Sequence, residues 1–121
     1  SEGQATAAAF LEELRAGRVE PAWQSASVEF KSLMGAGSLK DYIRAHPALK
    51  GQAEFVEGPK AIKDKPGLEE YVFQATAPPN AKGRARTSPN PKGASTPPRS
   101  TIRVTTARED GALKVERIRV E

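Results

Sequence analysis

The sequence predicts an α+β domain in which N-terminal helices pack on a curved, four-stranded antiparallel sheet. Three observations carry this. Apolar residues recur at three- and four-residue spacing up to Leu49, they alternate from Ala53 onward, and the period changes at Gly51, between the two regimes.

Ala7, Phe10, Leu11 and Leu14 make one face of a first helix, while Glu12, Glu13 and Arg15 fill the other side. Thr6 is its expected cap and Gly17 its left-handed stop. Pro21 suits the first turn of a second short helix carrying Ala22 and Trp23. Ser27 can offer its hydroxyl to the amides of a third helix, Val28 to Met34, with Glu29 favourably placed near the positive end of the dipole. Gly35 and Gly37 end that helix. Ser38-Leu39-Lys40-Asp41 reads as a capping box opening a fourth helix through Tyr42, Ile43 and Arg44, which His46-Pro47 terminates.

In the first strand Ala53 and Phe55 share one face, with Glu54 and Val56 on the other. Asp64-Lys65-Pro66-Gly67 is turn chemistry. A second strand follows from Glu69 to Ala77, with Tyr71, Phe73 and Ala75 on one side, and a third from Ser100 to Arg108, with Ile102, Val104 and Thr106 on one side. After a turn at Glu109-Asp110-Gly111, Leu113 and Val115 are odd-numbered but Ile118 and Val120 even-numbered. That slip near Glu116-Arg117 predicts a β-bulge.

The 121 residues and 13.0 kDa amount to a single domain spanning 1–121, large enough for a core without covalent staples. Because there is no cysteine, disulfides, thiolate metal sites, iron–sulfur clusters and a Cys nucleophile are excluded together. His46 is the only histidine, so His clusters and multi-His metal sites are excluded as well, and neither a cofactor nor a metal is expected. Gly35-Ala36-Gly37 joins two helices and has neither a leading strand nor a following Gly-Lys-Ser/Thr, so it is not a phosphate loop. No run approaches the roughly 18 consecutive apolar residues of a membrane span. Ser1 in place of Met predicts a processed or trimmed product.

Residues 78–99 differ from their surroundings: six prolines, two glycines, five Lys or Arg, no acid, and no apolar side chain larger than Ala besides proline. They predict a long mobile excursion between the second and third strands. Without its five cations, Lys82, Arg84, Arg86, Lys92 and Arg99, the chain's net charge of +4 becomes −1, so the loop holds the whole basic excess. These residues are candidates for attracting an anionic surface such as phospholipid headgroups, a cell-wall polymer or nucleic acid. The loop has no aromatic residue for base stacking, which argues against sequence-specific nucleic-acid recognition.

Ala9-Phe10-Leu11-Glu12-Glu13-Leu14-Arg15-Ala16-Gly17-Arg18, then Pro21-Ala22-Trp23 and Ser27-Val28-Glu29-Phe30-Lys31, resembles the opening of the nuclear transport factor 2-like (cystatin-like cone) superfamily. Tyr42-Ile43-Arg44-Ala45-His46-Pro47-Ala48-Leu49 and Gly111-Ala112-Leu113-Lys114-Val115-Glu116-Arg117-Ile118 are similar to phrases in small bacterial members that sit outside the cytoplasm behind a membrane anchor. The resemblance covers nearly all the chain outside residues 78–99. It implies a cone-like fold and an extracytoplasmic, periplasmic or membrane-anchored location, and it leaves a homodimer open. It says little of activity, since this fold hosts isomerases, dehydratases, transport factors and modules without chemistry.

Steroid-isomerising members place a carboxylate base on the sheet and a tyrosine donor inside an apolar pocket. Tyr42 and Tyr71 are the candidate donors here. Asp41, Asp64 and Asp110 are accounted for by a cap and two turns, and Glu54, Glu57, Glu69, Glu70 and Glu116 read as solvated strand positions. The expected function is therefore a non-enzymatic binding or accessory module, with a cone-pocket isomerase or dehydratase as the alternative and a polyanion-binding adaptor as a third. Trp23, Tyr42 and Tyr71 are the expected lining of a pocket for a small apolar ligand, and a protein partner is the other expected occupant.

Overall fold

A computed structural model describes residues 1–79 and 98–121. The order is α1 (Glu2–Arg15), α2 (Val19–Ser25), α3 (Val28–Leu33), α4 (Ala36–Ala45), a 3₁₀ turn (Pro47–Lys50), then β1 (Glu54–Ala61), β2 (Glu69–Thr76), β3 (Arg99–Glu109) and β4 (Ala112–Val120). The sheet is antiparallel in the order β1-β2-β3-β4 and does not close, so the fold is α+β as the change of period predicts.

Ser1 rather than Thr6 caps α1, its hydroxyl accepting from Gln4 N at 3.1 Å. The earlier start adds Gly3 to the buried stripe, which then runs through Gly3, Ala7, Phe10 or Leu11, and Leu14 at helical spacing. Gly17, at φ 86°, ends the turn after α1. Ser27 caps α3 by accepting from Phe30 N at 3.1 Å, and its own amide donates to Val115 O at 3.0 Å, tying the helix start to β4. The capping box at Ser38 does not form. Gly35, extended at ψ 170°, begins α4 three residues earlier than that cap would allow, and Asp41 pairs with Arg44 instead.

Along β2 and β3, Tyr71, Phe73, Ala75, Ile102 and Val104 are buried beneath the helices. From α1, α3, α4 and the 3₁₀ turn come Phe10, Leu14, Phe30, Leu39 and Leu49 to meet them. Phe10 and Phe30 meet edge to face at 5.6 Å. Partners of Thr105 and Thr106 on β4 are Arg117 and Val115, leaving Glu116 as the extra residue of the expected bulge. β1 carries a second irregularity, with Phe55 opposite Phe73 and Glu57 opposite Val72, so Val56 is passed over and the simple alternation expected there breaks.

The ladder between β2 and β3 extends to Thr76 and Arg99. Arg99, expected in the loop, is therefore a strand residue paired with Glu54 and donating to Gln74 Oε1 at 3.3 Å. On the face away from the helices, Arg103 bonds Glu70 at 3.0 Å, while Glu121 contacts both Arg103 at 3.1 Å and Arg119 at 2.9 Å. Arg103 and Arg119 are direct cross-strand neighbours, and the Glu121 carboxylate between them offsets their repulsion. Among the described residues no helix is long and apolar enough to cross a membrane.

Candidate functional site

Each of the aromatic residues expected to line a pocket has its polar tip in a hydrogen bond. Trp23 is half-buried, its Nε1 donating to Met34 O at 2.8 Å while Lys31 Nζ lies 5.6 Å from the ring centroid. The Tyr42 hydroxyl accepts from Val120 N at 3.0 Å, and its ring lies 4.3 Å from that of His46. Tyr71 lines a cleft that neither Trp23 nor Tyr42 borders. Of the predicted loop cations, Lys82, Arg84, Arg86 and Lys92 lie outside the described residues.

The Tyr71 cleft opens at one end of the sheet, between the start of α1, the β1–β2 connection and the β3–β4 hairpin, and encloses about 740 Å³. Its inner wall follows from strand alternation: Glu69 and Tyr71 are two residues apart on β2 and share the helix-side face. The Tyr71 hydroxyl donates to Glu69 Oε1 at 3.1 Å. A glycine holds the ring on each side. A Cβ built on Gly3 would lie 1.9 Å from Tyr71 Oη, and one on Gly58, whose φ is 142°, would lie 2.9 Å from Tyr71 Cδ2. With 1% of its surface exposed, Tyr71 is a wall rather than an occupant of the cleft. Burial pushes its phenol above the ordinary tyrosine range. The Ser1 hydrogen bond opposes that shift, while the Glu69 hydrogen bond and negative charge add to it.

Pro59, Pro66, Leu68 and Leu113 supply apolar lining. Glu2 and Arg108, also at the rim, form an ion pair at 2.9 Å, and Arg108 donates to Gly111 O at 3.0 Å. Glu69 has no ion pair among the described residues. From the sequence alone Glu69 reads as a solvated strand position. Its shared parity with Tyr71 was the available signal, and Gly3, at helical spacing before Ala7, was the second.

A smaller hollow of about 400 Å³ lies on the open sheet face, where Glu70 and Arg103 form part of the wall. In its lining Arg103 is held by Glu70 and Glu121, and Arg119 pairs with Glu121. No group of three or more His, Cys, Asp or Glu that could hold a metal ion occurs among the described residues. Comparison with known proteins found no matching family model, no matching curated protein and no matching solved structure.

Proposed function

We propose that this domain is a non-enzymatic binding or accessory module of the nuclear transport factor 2-like type, with the Tyr71 cleft as its receiving site. Helices on one side of an open four-stranded antiparallel sheet are compatible with that type. The observation that carries the reading is the hydrogen bond between Tyr71 and Glu69. An isomerase of this architecture needs a carboxylate free to take a proton from carbon and a separate neutral donor for the developing oxyanion. Here the Tyr71 phenol is spent on one oxygen of the Glu69 carboxylate instead of being a separate donor for an oxyanion, and burial makes the phenol a weaker acid. The pair is arranged to hold a fixed negative charge beside apolar walls, which serves recognition. The same bacterial phrases around Tyr42 and Gly111 support the soluble part of an extracytoplasmic, anchored protein.

The enzymatic alternative uses the same two groups, so one experiment separates the readings. A β,γ-unsaturated ketosteroid is incubated with the protein, and formation of the conjugated enone is followed by absorbance. The module reading expects no turnover above that of the Glu69→Gln variant. Turnover that saturates with steroid and is abolished by Glu69→Gln would replace it with the isomerase reading.

A further inference from the structure

This inference rests on the binding-module reading and concerns the chemistry of the ligand. We propose that the Tyr71 cleft binds an organic ammonium ion with an apolar body, seated with its charge on the Glu69 carboxylate.

The charge balance of the cleft points there. Three ionised side chains line it, Glu2, Glu69 and Arg108. Glu2 and Arg108 neutralise one another at 2.9 Å, whereas Glu69 makes no ion pair among the described residues, either with Arg108 or with the Ser1 amino group at the rim. The amino end of α1 carries partial positive charge that would favour an anion, but Glu2 already stands in its first turn. Glu69 is also oriented. The Tyr71 phenol donates to Oε1, and Oε2 has no partner among the described residues, so one carboxylate oxygen is fixed and the other is open to a donor. An ammonium group brings three donors and no acceptor, which matches a bare carboxylate oxygen. The rest of the lining fits an alkyl or aryl body, with Pro59, Pro66, Leu68 and Leu113 as its apolar side chains. At about 740 Å³ the cleft has a volume usual for small-ligand sites. An alcohol would gain the apolar walls without the charge, and a carboxylate would meet Glu69 as a like charge.

The test compares n-hexylammonium, n-hexanol and hexanoate by titration calorimetry on the wild-type chain and on Glu69→Gln, which keeps an acceptor for Tyr71 and removes only the charge. Hexylammonium is expected to bind wild type best, to lose about tenfold or more in affinity in Glu69→Gln, and to weaken as salt rises from about 0.05 to 0.5 M. Hexanol or hexanoate binding as tightly as hexylammonium, or unchanged hexylammonium affinity in Glu69→Gln, would overturn the ammonium assignment and leave a binding cleft of other specificity. Failure of all three to bind wild type would overturn the small-ligand site itself. If Glu69→Gln melts well below wild type, the comparison of the three ligands on wild type decides alone.

Discussion

Replacing Gly3 by alanine sets two forces against each other. Helix propensity favours the change, by up to about 1 kcal/mol, because alanine loses less backbone freedom than glycine on entering α1. Packing opposes it. The added methyl would lie 1.9 Å from Tyr71 Oη, 2.5 Å from Cζ and 2.9 Å from Cε1, all well inside van der Waals contact. Yielding is resisted on the far edge of the ring, where Gly58 faces Cδ2, and at the hydroxyl, which is bonded to Glu69. Overpacking of this kind costs about 1–3 kcal/mol, and displacing a phenol from a carboxylate adds about 1.5–3 kcal/mol more if the bond is lost. The expected net is a loss of about 2 kcal/mol or more, read by urea denaturation or as a fall of roughly 5–10 °C in Tm. Gly3→Ala combined with Tyr71→Phe removes the closest atom, so the double variant should lose at least about 0.5 kcal/mol less than the sum of the singles. A Gly3→Ala protein more stable than wild type, with additive behaviour in the double variant, would refute the Tyr71 slot.

Leu14, with no exposed surface, should cost about 2–5 kcal/mol on truncation to alanine, and a loss below about 0.5 kcal/mol in chemical denaturation would contradict its place in the core. The Thr106 hydroxyl is buried with no hydrogen-bond partner among the described residues, so Thr106→Val should stabilise by about 1 kcal/mol; a destabilised variant would point to an unseen partner. Because the folded phenol of Tyr71 titrates above the unfolded one, its contribution is intact below the ordinary tyrosine value and is lost as pH rises through the folded value. Wild type should therefore lose stability in the alkaline range more steeply than Tyr71→Phe, and equal slopes would contradict the shift. At the acid end, the Arg103 guanidinium beside Glu121 holds that carboxyl below the usual range, with desolvation opposing and Arg119 assisting. Its contribution is present above the ordinary carboxylate value and fades as pH falls, so Glu121→Gln should flatten the acid limb of the stability curve, and an unchanged limb would count against that ion contact.

Period and phase carried most of the fold. Four helices, four strands and the bulge at Glu116 follow from the spacing of apolar residues, because a single parity change between Val115 and Ile118 has few other physical causes. Boundaries were less legible. The start of α1 depended on Ser1 reaching Gln4 N, and that of α4 on the extended backbone of Gly35, both of which compete with the side-chain caps the sequence also offers at Thr6 and Ser38. The site was legible only in part. Trp23 and Tyr42 bond backbone groups of Met34 and Val120, 11 and 78 residues away in sequence. Such partners cannot be read from composition or local spacing, yet they decide whether an aromatic tip faces a ligand or closes the core. Tyr71 and Glu69, by contrast, are brought together by strand alternation alone.

Mapping of amide shift changes in a ¹H–¹⁵N spectrum on titration with n-hexylammonium tests the account most directly, because it locates the receiving site. The largest changes are expected to cluster at Gly3, Gly67, Glu69 and Leu113, around one cleft. Changes centred instead on the Trp23 indole and the Val120 amide, with those four residues still, would contradict it.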